Sequence, residues 1–389
     1  MKIKKKFAIG LTIVACTLTG CTSNASRLYK EGLSLYEDGK YEEASRSLQE
    51  AITANPDKAD YYITYGLVLV ELGDYEEAII QLNKVVKDKD NQVVNENNKK
   101  AYRAIGIAYY RELEYKKAIT QFEQALDINE MGSLNSDISL YLADCYEKIG
   151  EYEKSVKIYS EAIQSDVSNS DLYVKRANVY ANLGDYEKAS SDFDQAIEYN
   201  SNNYDIYIAK YGMLMSQGKE EEAKEVLKNA LSIQASTEED NFNVAKIHYY
   251  QSDYKSALSE LQAVKEQFVD AYYLIGEIYY NQGDYSKAMT NYETYVKGVS
   301  VVSSTCYNQL ALTSMKLSDY ETALAYIEKG LIANDISTYQ ALLSNQVACY
   351  EQLADYNNAY QLAKAYMEEY PDDKDMEREL QFIETRIDQ

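Results

Sequence analysis

The chain has 389 residues, a formal net charge of −24 and a sequence that is 46% hydrophobic, enough to bury an extended core. The acidic balance argues against nucleic-acid binding, because a phosphate backbone would repel such a surface. It is compatible with an ordinary solvated surface or with cationic partners. The single His excludes any site built from several histidines.

The first twenty residues predict an export signal. Lysines at positions 2, 4, 5 and 6 precede an apolar run from Phe7 to Leu18, which is too short to span a bilayer comfortably. The run ends in Leu18-Thr19-Gly20-Cys21, which resembles the lipobox of bacterial lipoproteins. In that family the chain is cut before the cysteine and the thiol is diacylated.

This resemblance implies a signal peptide over residues 1–20, a lipid on Cys21 and a short tether over residues 21–25. The protein would then be exported and lipid-anchored to a bacterial cell membrane. At roughly 3.4 Å per extended residue, the first folded segment would begin within about 20 Å of the lipid. Two alternatives stay open: a weaker lipobox that ends at Cys16, and an ordinary signal or uncleaved anchor in which Cys21 occurs by chance.

A six-residue motif, GDYEKA at residues 184–189, recurs with variations ten times along the chain. Its tyrosine serves as the anchor in nine of the ten repeats, with Glu220 in that position in the other, and Ala stands three residues later in every repeat except at Ser155. The anchors are Tyr41, Tyr75, Tyr115, Tyr152, Tyr186, Glu220, Tyr254, Tyr285, Tyr320 and Tyr356. A period near 34 residues predicts one supersecondary unit stacked many times.

The fifth repeat shows what one unit contains. Apolar residues at helical spacing predict a first helix over Asp171–Leu183, which Gly184 ends because Gly accepts the left-handed conformation. Asp185 is the predicted N-cap of a second helix, in which Phe193 fills the space between the two helices. Six repeats carry Asp at this cap position: Asp74, Asp185, Asp253, Asp284, Asp319 and Asp355.

This pattern resembles the tetratricopeptide repeat, whose small first-helix position is filled here by Gly66, Gly106, Gly276, Ala143, Ala177 and Ala245. The resemblance implies an all-α fold, a right-handed α-solenoid of about ten helix-turn-helix repeats over residues 26–373. Residues 374–389 are expected to form a C-terminal capping helix, because four apolar residues from Met376 to Ile387 form one stripe.

Two junctions are longer than the period allows. The polar segment Lys87–Asn98 and the segment Glu130–Ser133 are both predicted to be surface loops between repeats. The ninth repeat is degenerate, with Gly330 where Ala is usual.

Nothing in the sequence favours catalysis. His248 stands where other repeats have Tyr, so a packed side chain is expected, and Cys145, Cys306 and Cys349 are predicted to be buried and unpaired. No cysteine pair at ligand spacing or glycine-rich phosphate loop is present. We therefore expect no enzyme, no cofactor and no metal.

In the tetratricopeptide family the first helices line a concave groove that carries peptide contacts. The matching candidates are Tyr29, Tyr36, Arg103, Tyr110, Arg111, Asn178, Tyr249, Tyr273 and Tyr280, some of which would instead pack between repeats. The family's carboxylate-clamp pattern is not reproduced. The favoured interpretation is a non-catalytic, membrane-tethered scaffold whose groove binds cell-envelope proteins or peptides. The alternative is a surface lipoprotein that captures glycans or solutes on its tyrosines.

Overall fold

The computed structural model describes residues 24–333 and 336–387, without the side chains of residues 336 and 337. The predicted signal peptide, Cys21 and residues 21–23 of the tether lie outside the described residues. Within the described ranges every regular element is helical.

The helices, in chain order, are α1 Asn24–Glu37, α2 Tyr41–Ala54, α3 Ala59–Leu72, α4 Tyr75–Asn83, α5 Gln92–Arg111, α6 Tyr115–Leu126, α7 Asn135–Lys148, α8 Tyr152–Ser165, α9 Ser170–Asn182, α10 Tyr186–Tyr199, α11 Tyr204–Ser216, α12 Glu220–Ala230, α13 Glu238–Tyr250, α14 Tyr254–Val264, α15 Asp270–Asn281, α16 Tyr285–Gly298, α17 Ser304–Lys316, α18 Tyr320–Ile332, α19 Ile336–Gln352, α20 Tyr356–Glu369 and α21 Lys374–Ile387. Odd-numbered helices up to α19 are the first helices of the repeats, and even-numbered helices are the second. A short 3-10 turn, Gly132–Leu134, precedes α7.

In every repeat the second helix begins at the predicted anchor residue. The residue two positions before each anchor has a positive φ, and in six of the ten repeats it is Gly. The other four are Leu113, Ser252, Ser318 and Ala354. At the cap position five of the six predicted Asp side chains accept a backbone N–H of the following helix. The prediction is wrong for Asp74, whose side chain makes no cap hydrogen bond.

Close packing of first helix on second helix explains the small residues in the motif. A Cβ on Gly106 would lie 2.5 Å from the Phe122 ring, and Gly66 and Gly276 face second-helix side chains in the same way. The residue seven positions after each anchor is completely buried in all ten repeats. Close packing also explains why position 330 is Gly, because a Cβ there would lie 2.9 Å from Leu342. The helix-turn-helix architecture predicted from the motif is therefore confirmed.

The described residues form two compact units, residues 24–223 and residues 224–387. The first unit holds α1 to α11 with the start of α12, and the second holds the remainder of α12 through α21. In the second unit, α21 buries Met376 and Ile383 in a cluster with Val347 and residues of α20. The apolar stripe of the predicted capping helix thus packs against the last repeat.

The segment Lys87–Asn98 is not a loop throughout, which corrects the prediction. Helix α5 begins at Gln92, and the Asn91 side chain caps it by accepting from the Val94 N–H at 3.1 Å. Asn98 is buried, and its amide group bonds both the N–H and the C=O of Lys87. The polar insertion therefore extends a helix, and its asparagines supply the cap and a cross-link.

Candidate functional site on the first helices

The predicted residues nearest the N-terminus are largely engaged within the fold. The Tyr29 ring stacks on Tyr61 with centroids 4.7 Å apart, and its hydroxyl lies 3.3 Å from Thr64 Oγ1. Tyr36 is half-buried, and burial, followed by the nearby Glu71 carboxylate, raises the pKa of its hydroxyl. Both side chains are therefore only partly exposed to solvent.

Basic residues of α5 pair with carboxylates of the neighbouring first helices. Arg103 is buried and its Nε donates to Asp137 Oδ2 at 2.5 Å. On the other side of α5, Lys100 lies 3.1 Å from an Asp60 oxygen, and Arg111 lies 3.9 Å from a Glu71 oxygen. We call these six residues the charged strip: Asp60, Glu71, Lys100, Arg103, Arg111 and Asp137. Its positive charges are largely balanced, and Arg111, about half exposed, is the most accessible of its cations.

Asp144 on α7 is the centre of a second polar group in the first unit. It accepts the Tyr159 hydroxyl at 2.6 Å and the Tyr110 hydroxyl at 3.4 Å, and Lys175 Nζ lies 3.1 Å away. Burial, followed by the Asp144 charge, raises the pKa of both tyrosines. Asn178, on α9, is exposed. The predicted residue Tyr110 therefore belongs to a complete hydrogen-bonded group.

Tyrosines gather on α13 and α15 in the second unit. Tyr249 and Tyr250 make an edge contact at 5.5 Å, Tyr273 lies 5.4 Å from Tyr295, and Tyr280 lies 5.4 Å from Tyr285. The side chains on the first helices are partly accessible. We call them the tyrosine face: Tyr249, Tyr250, Tyr273 and Tyr280.

Glu277 lies within the tyrosine face, and sequence reasoning missed it. Its Oε1 accepts the buried Tyr292 hydroxyl at 2.5 Å, and Tyr273 also donates to it. Burial raises the pKa of Glu277, whereas these two hydrogen bonds lower it, and the net shift is upward. The sequence carried a signal, because Glu277 is the one charged residue of α15 after its first residue, Asp270, and stands four residues after Tyr273 and three before Tyr280.

The remaining candidates for chemistry are structural. Cys145, Cys306 and Cys349 are buried and unpaired, as predicted, and burial raises the pKa of their thiols to about 12, 12 and 11. His248 is half-buried with its Nδ1 2.7 Å from Glu260. Within residues 24–333 and 336–387, no three His, Cys, Asp or Glu side chains are placed to hold a metal ion. In the same ranges no helix combines the length and apolar character of a membrane span.

Protein-family models match the repeats of this chain. Models of the tetratricopeptide repeat match residues 29–93, 103–169, 170–203, 244–299 and 304–331. An SGT1 homolog from Bos taurus is 24% identical over 154 residues, which are 40% of this chain and 43% of the relative. The TPR repeat-containing protein MJ1428 from Methanocaldococcus jannaschii is 30% identical over 145 residues, 36% of this chain and 24% of the relative. The chain thus spans less than half the length of these curated relatives.

Solved structures similar to this chain include the following two. A tetratricopeptide repeat protein from Parabacteroides merdae is 15% identical with a TM-score of 0.47, and the match covers 64% of this chain and 98% of that protein. Yeast Tom70 is 13% identical with a TM-score of 0.44, covering 93% of this chain and 95% of that chain.

Proposed function

This chain belongs to the tetratricopeptide-repeat family, whose fold is typical of protein–protein interaction, and on that premise we propose that it is a non-catalytic scaffold. The scaffold is exported, tethered to a bacterial membrane by a lipid on Cys21, and binds another cell-envelope protein or peptide through its first helices. Its ligand is a protein or peptide and not a nucleic acid.

One structural observation supports the proposed binding surface. First helices of successive repeats are joined side by side through polar side chains, as Arg103 joins Asp137 and Lys175 joins Asp144. These bonds fix the first helices of the first unit, so Arg111 and Asn178 hold set positions before a partner protein binds. A preorganised surface of this kind loses little entropy on binding.

The proposed membrane tether depends on Cys21. Cys21→Ala in the full chain, expressed in a bacterial host, is expected to move the protein from the membrane to the soluble fraction. Cys16→Ala is the matched control, because it alters the weaker lipobox and should leave the protein on the membrane. The tether proposal fails if Cys21→Ala stays with the membrane while Cys16→Ala releases the protein.

The proposed partner is tested by chemical crosslinking in native membranes, followed by purification of the tagged chain. Arg111→Glu reverses an accessible first-helix charge whose pair with Glu71 is worth at most about 1 kcal/mol, so the fold should persist. Lys157→Glu makes the same change on α8, where the side chain is 79% exposed. We expect Arg111→Glu to weaken recovery of one envelope protein and Lys157→Glu to leave it intact.

Arg103 is unsuitable for this test although it was a predicted contact residue. Its guanidinium is buried against Asp137, so a charge reversal would place two carboxylates together and destabilise α5 and α7. In the proposed function Arg103 positions the neighbouring first helices, and Arg111 meets the partner. Equal recovery of the envelope protein with Arg111→Glu and Lys157→Glu would argue against first-helix binding in the charged strip.

A further inference from the structure

The fourth and eighth repeats contain the same hydrogen-bonded group. Asp144 and Glu277 both stand eight residues before their anchors, and each accepts the hydroxyl of a tyrosine seven residues after the anchor, Tyr159 or Tyr292. In the other eight repeats the first of these positions is not acidic and the second is not Tyr. The acid and the tyrosine therefore occur together.

The preceding repeat contributes a tyrosine to both groups. Tyr110 donates to Asp144, and Tyr249 occupies the same place, five residues before its own anchor. Tyr249 lies close enough to Tyr273 and Tyr292 for its charge to raise the pKa of both, after burial and Glu277. The two groups thus match in three of their members.

The two groups differ in the residue that the following repeat contributes. Lys175 stands eleven residues before its anchor and pairs with Asp144 at 3.1 Å, whereas the equivalent residue on α17 is Gln309. Gln309 Oε1 is buried without a hydrogen-bond partner among the described residues. Among the same described residues, Glu277 makes no ion pair with a Lys, Arg or His. Burial, followed by the negative charge of Glu277, raises the pKa of Cys306, which stands three residues before Gln309.

We propose that Glu277, Gln309 and the surrounding tyrosines receive the ammonium group of a lysine side chain from the bound protein. The proposal rests on the scaffold function and names the chemistry of its partner. An ammonium has three donors, which suit the Glu277 carboxylate, the Gln309 amide oxygen and a tyrosine. Tyrosine faces attract a cation directly, and the acidic protein attracts basic partners from a distance.

Lysine fits this cluster better than arginine. The equivalent position in the fourth repeat is filled by the compact charge of Lys175. Glu277 Oε1 already accepts the Tyr292 hydroxyl, so the carboxylate does not present two free oxygens to the parallel donors of a guanidinium. The chain therefore closes one cluster with its own lysine and leaves the other for a lysine from outside. We name Glu277, Gln309, Tyr249, Tyr273 and Tyr280 the lysine-binding cluster.

The test uses the full chain, purified in detergent and labelled with ¹³C in its tyrosine rings. Nα-acetyl-lysine methylamide is titrated at constant ionic strength, with Nα-acetyl-norleucine methylamide as the uncharged control. We expect saturable shifts of the Tyr273 and Tyr280 ring signals, assigned by Tyr→Phe substitution, with the lysine compound alone. Equal shifts with the norleucine compound would overturn the proposal.

Two variants locate the binding in the cluster. Glu277→Gln keeps an acceptor for Tyr292 but removes the charge, and Gln309→Lys supplies an internal ammonium as Lys175 does. Each is expected to weaken lysine binding at least tenfold. Glu293→Gln on α16, which accepts the Tyr326 hydroxyl at 3.4 Å, is the matched control and should bind as the wild type. Wild-type binding in folded Gln309→Lys would overturn the assignment even if Glu277→Gln failed to fold.

Failure of this inference differs from failure of the scaffold function. If the lysine compound does not bind, but the envelope protein is still recovered by crosslinking, the lysine-binding cluster is wrong and the scaffold stands. If the compound binds with the expected variant pattern and no envelope protein is recovered, the scaffold function fails instead.

Discussion

Gly106→Ala tests the helix packing on which every first-helix side chain depends. The added Cβ would lie 2.5, 2.6 and 2.9 Å from three atoms of the Phe122 ring, about 1 Å inside the usual carbon–carbon separation. The completely buried Phe122 has little room to move. Overpacking costs typically 1–3 kcal/mol, and the better helix propensity of Ala returns about 1 kcal/mol. Because three ring atoms lie too close, the overpacking cost falls in the upper part of this range, about 2–3 kcal/mol, and we expect a net loss of about 1–2 kcal/mol.

Gly212→Ala is the matched control for this change. Gly212 lies inside α11 in the same unit, is exposed, and has no atom within 4 Å of the position its Cβ would take. The same substitution should therefore stabilise by about 0.5–1 kcal/mol through helix propensity alone. The two variants differ in sign because only Gly106 faces a second-helix ring.

Thermal unfolding followed by circular dichroism and local amide exchange would measure both effects. In a unit of about 200 residues, 1 kcal/mol shifts Tm by roughly 2–4 °C, so Gly106→Ala should melt lower and Gly212→Ala slightly higher. Since repeats interact mainly with their neighbours, exchange should accelerate chiefly in α5, α6 and adjacent helices. A Gly106→Ala variant as stable as the wild type would refute the packing argument.

Four further substitutions test the turn, the motif and the capping helix. Leu113→Gly should raise the free energy of unfolding by about 0.5–1 kcal/mol, because Leu113 has a left-handed φ of 66° that Gly adopts without strain. Gly73→Ala at the equivalent turn should lower it, because Gly73 has a φ of 87°. Urea unfolding checks both signs. Ser155→Ala should stabilise by about 1 kcal/mol in the same assay, since its buried hydroxyl lacks a partner among the described residues. Burial and the nearby Glu379 raise the pKa of Glu351 from 4.5 to about 7. The folded state therefore binds more protons than the unfolded state, and the free energy of unfolding falls as the pH rises from about 4.5 to 7. Glu351→Gln should remove this loss, as measured by α21 amide protection at pH 5 and 8, corrected for intrinsic exchange rates.

The repeat boundaries could be predicted because their causes are local and periodic. Each turn needs one left-handed residue, and each helix pair needs a small residue opposite a large one, so the signals recur near Gly184 and its equivalents. The start of α5 could not be predicted in this way. Its polar sequence has low helix propensity, and the helix is held by the Asn91 cap and by Asn98, which bonds Lys87 across the insertion.

The candidate site was only partly visible in the sequence for a different reason. The sequence identifies Arg103 and Arg111 as candidate contact residues, but their carboxylate partners lie on adjacent repeats, 34 positions away in the case of Asp137. Glu277 and Gln309 become meaningful only when the repeats are aligned on their anchors and the side-chain contacts are known. Pairing between repeats is a tertiary property, and a single-helix pattern does not contain it.

Site-specific photocrosslinking in native membranes tests the central claim most directly. A photoreactive phenylalanine replaces Asn178 on α9 or Tyr280 on α15 and, in matched control chains, Lys157 on α8 or Lys287 on α16, whose side chains are 79% and 61% exposed. We expect one envelope protein to be captured from the first-helix positions and not from the second-helix positions. Capture of that protein only from Lys157 and Lys287 would contradict binding through the first helices.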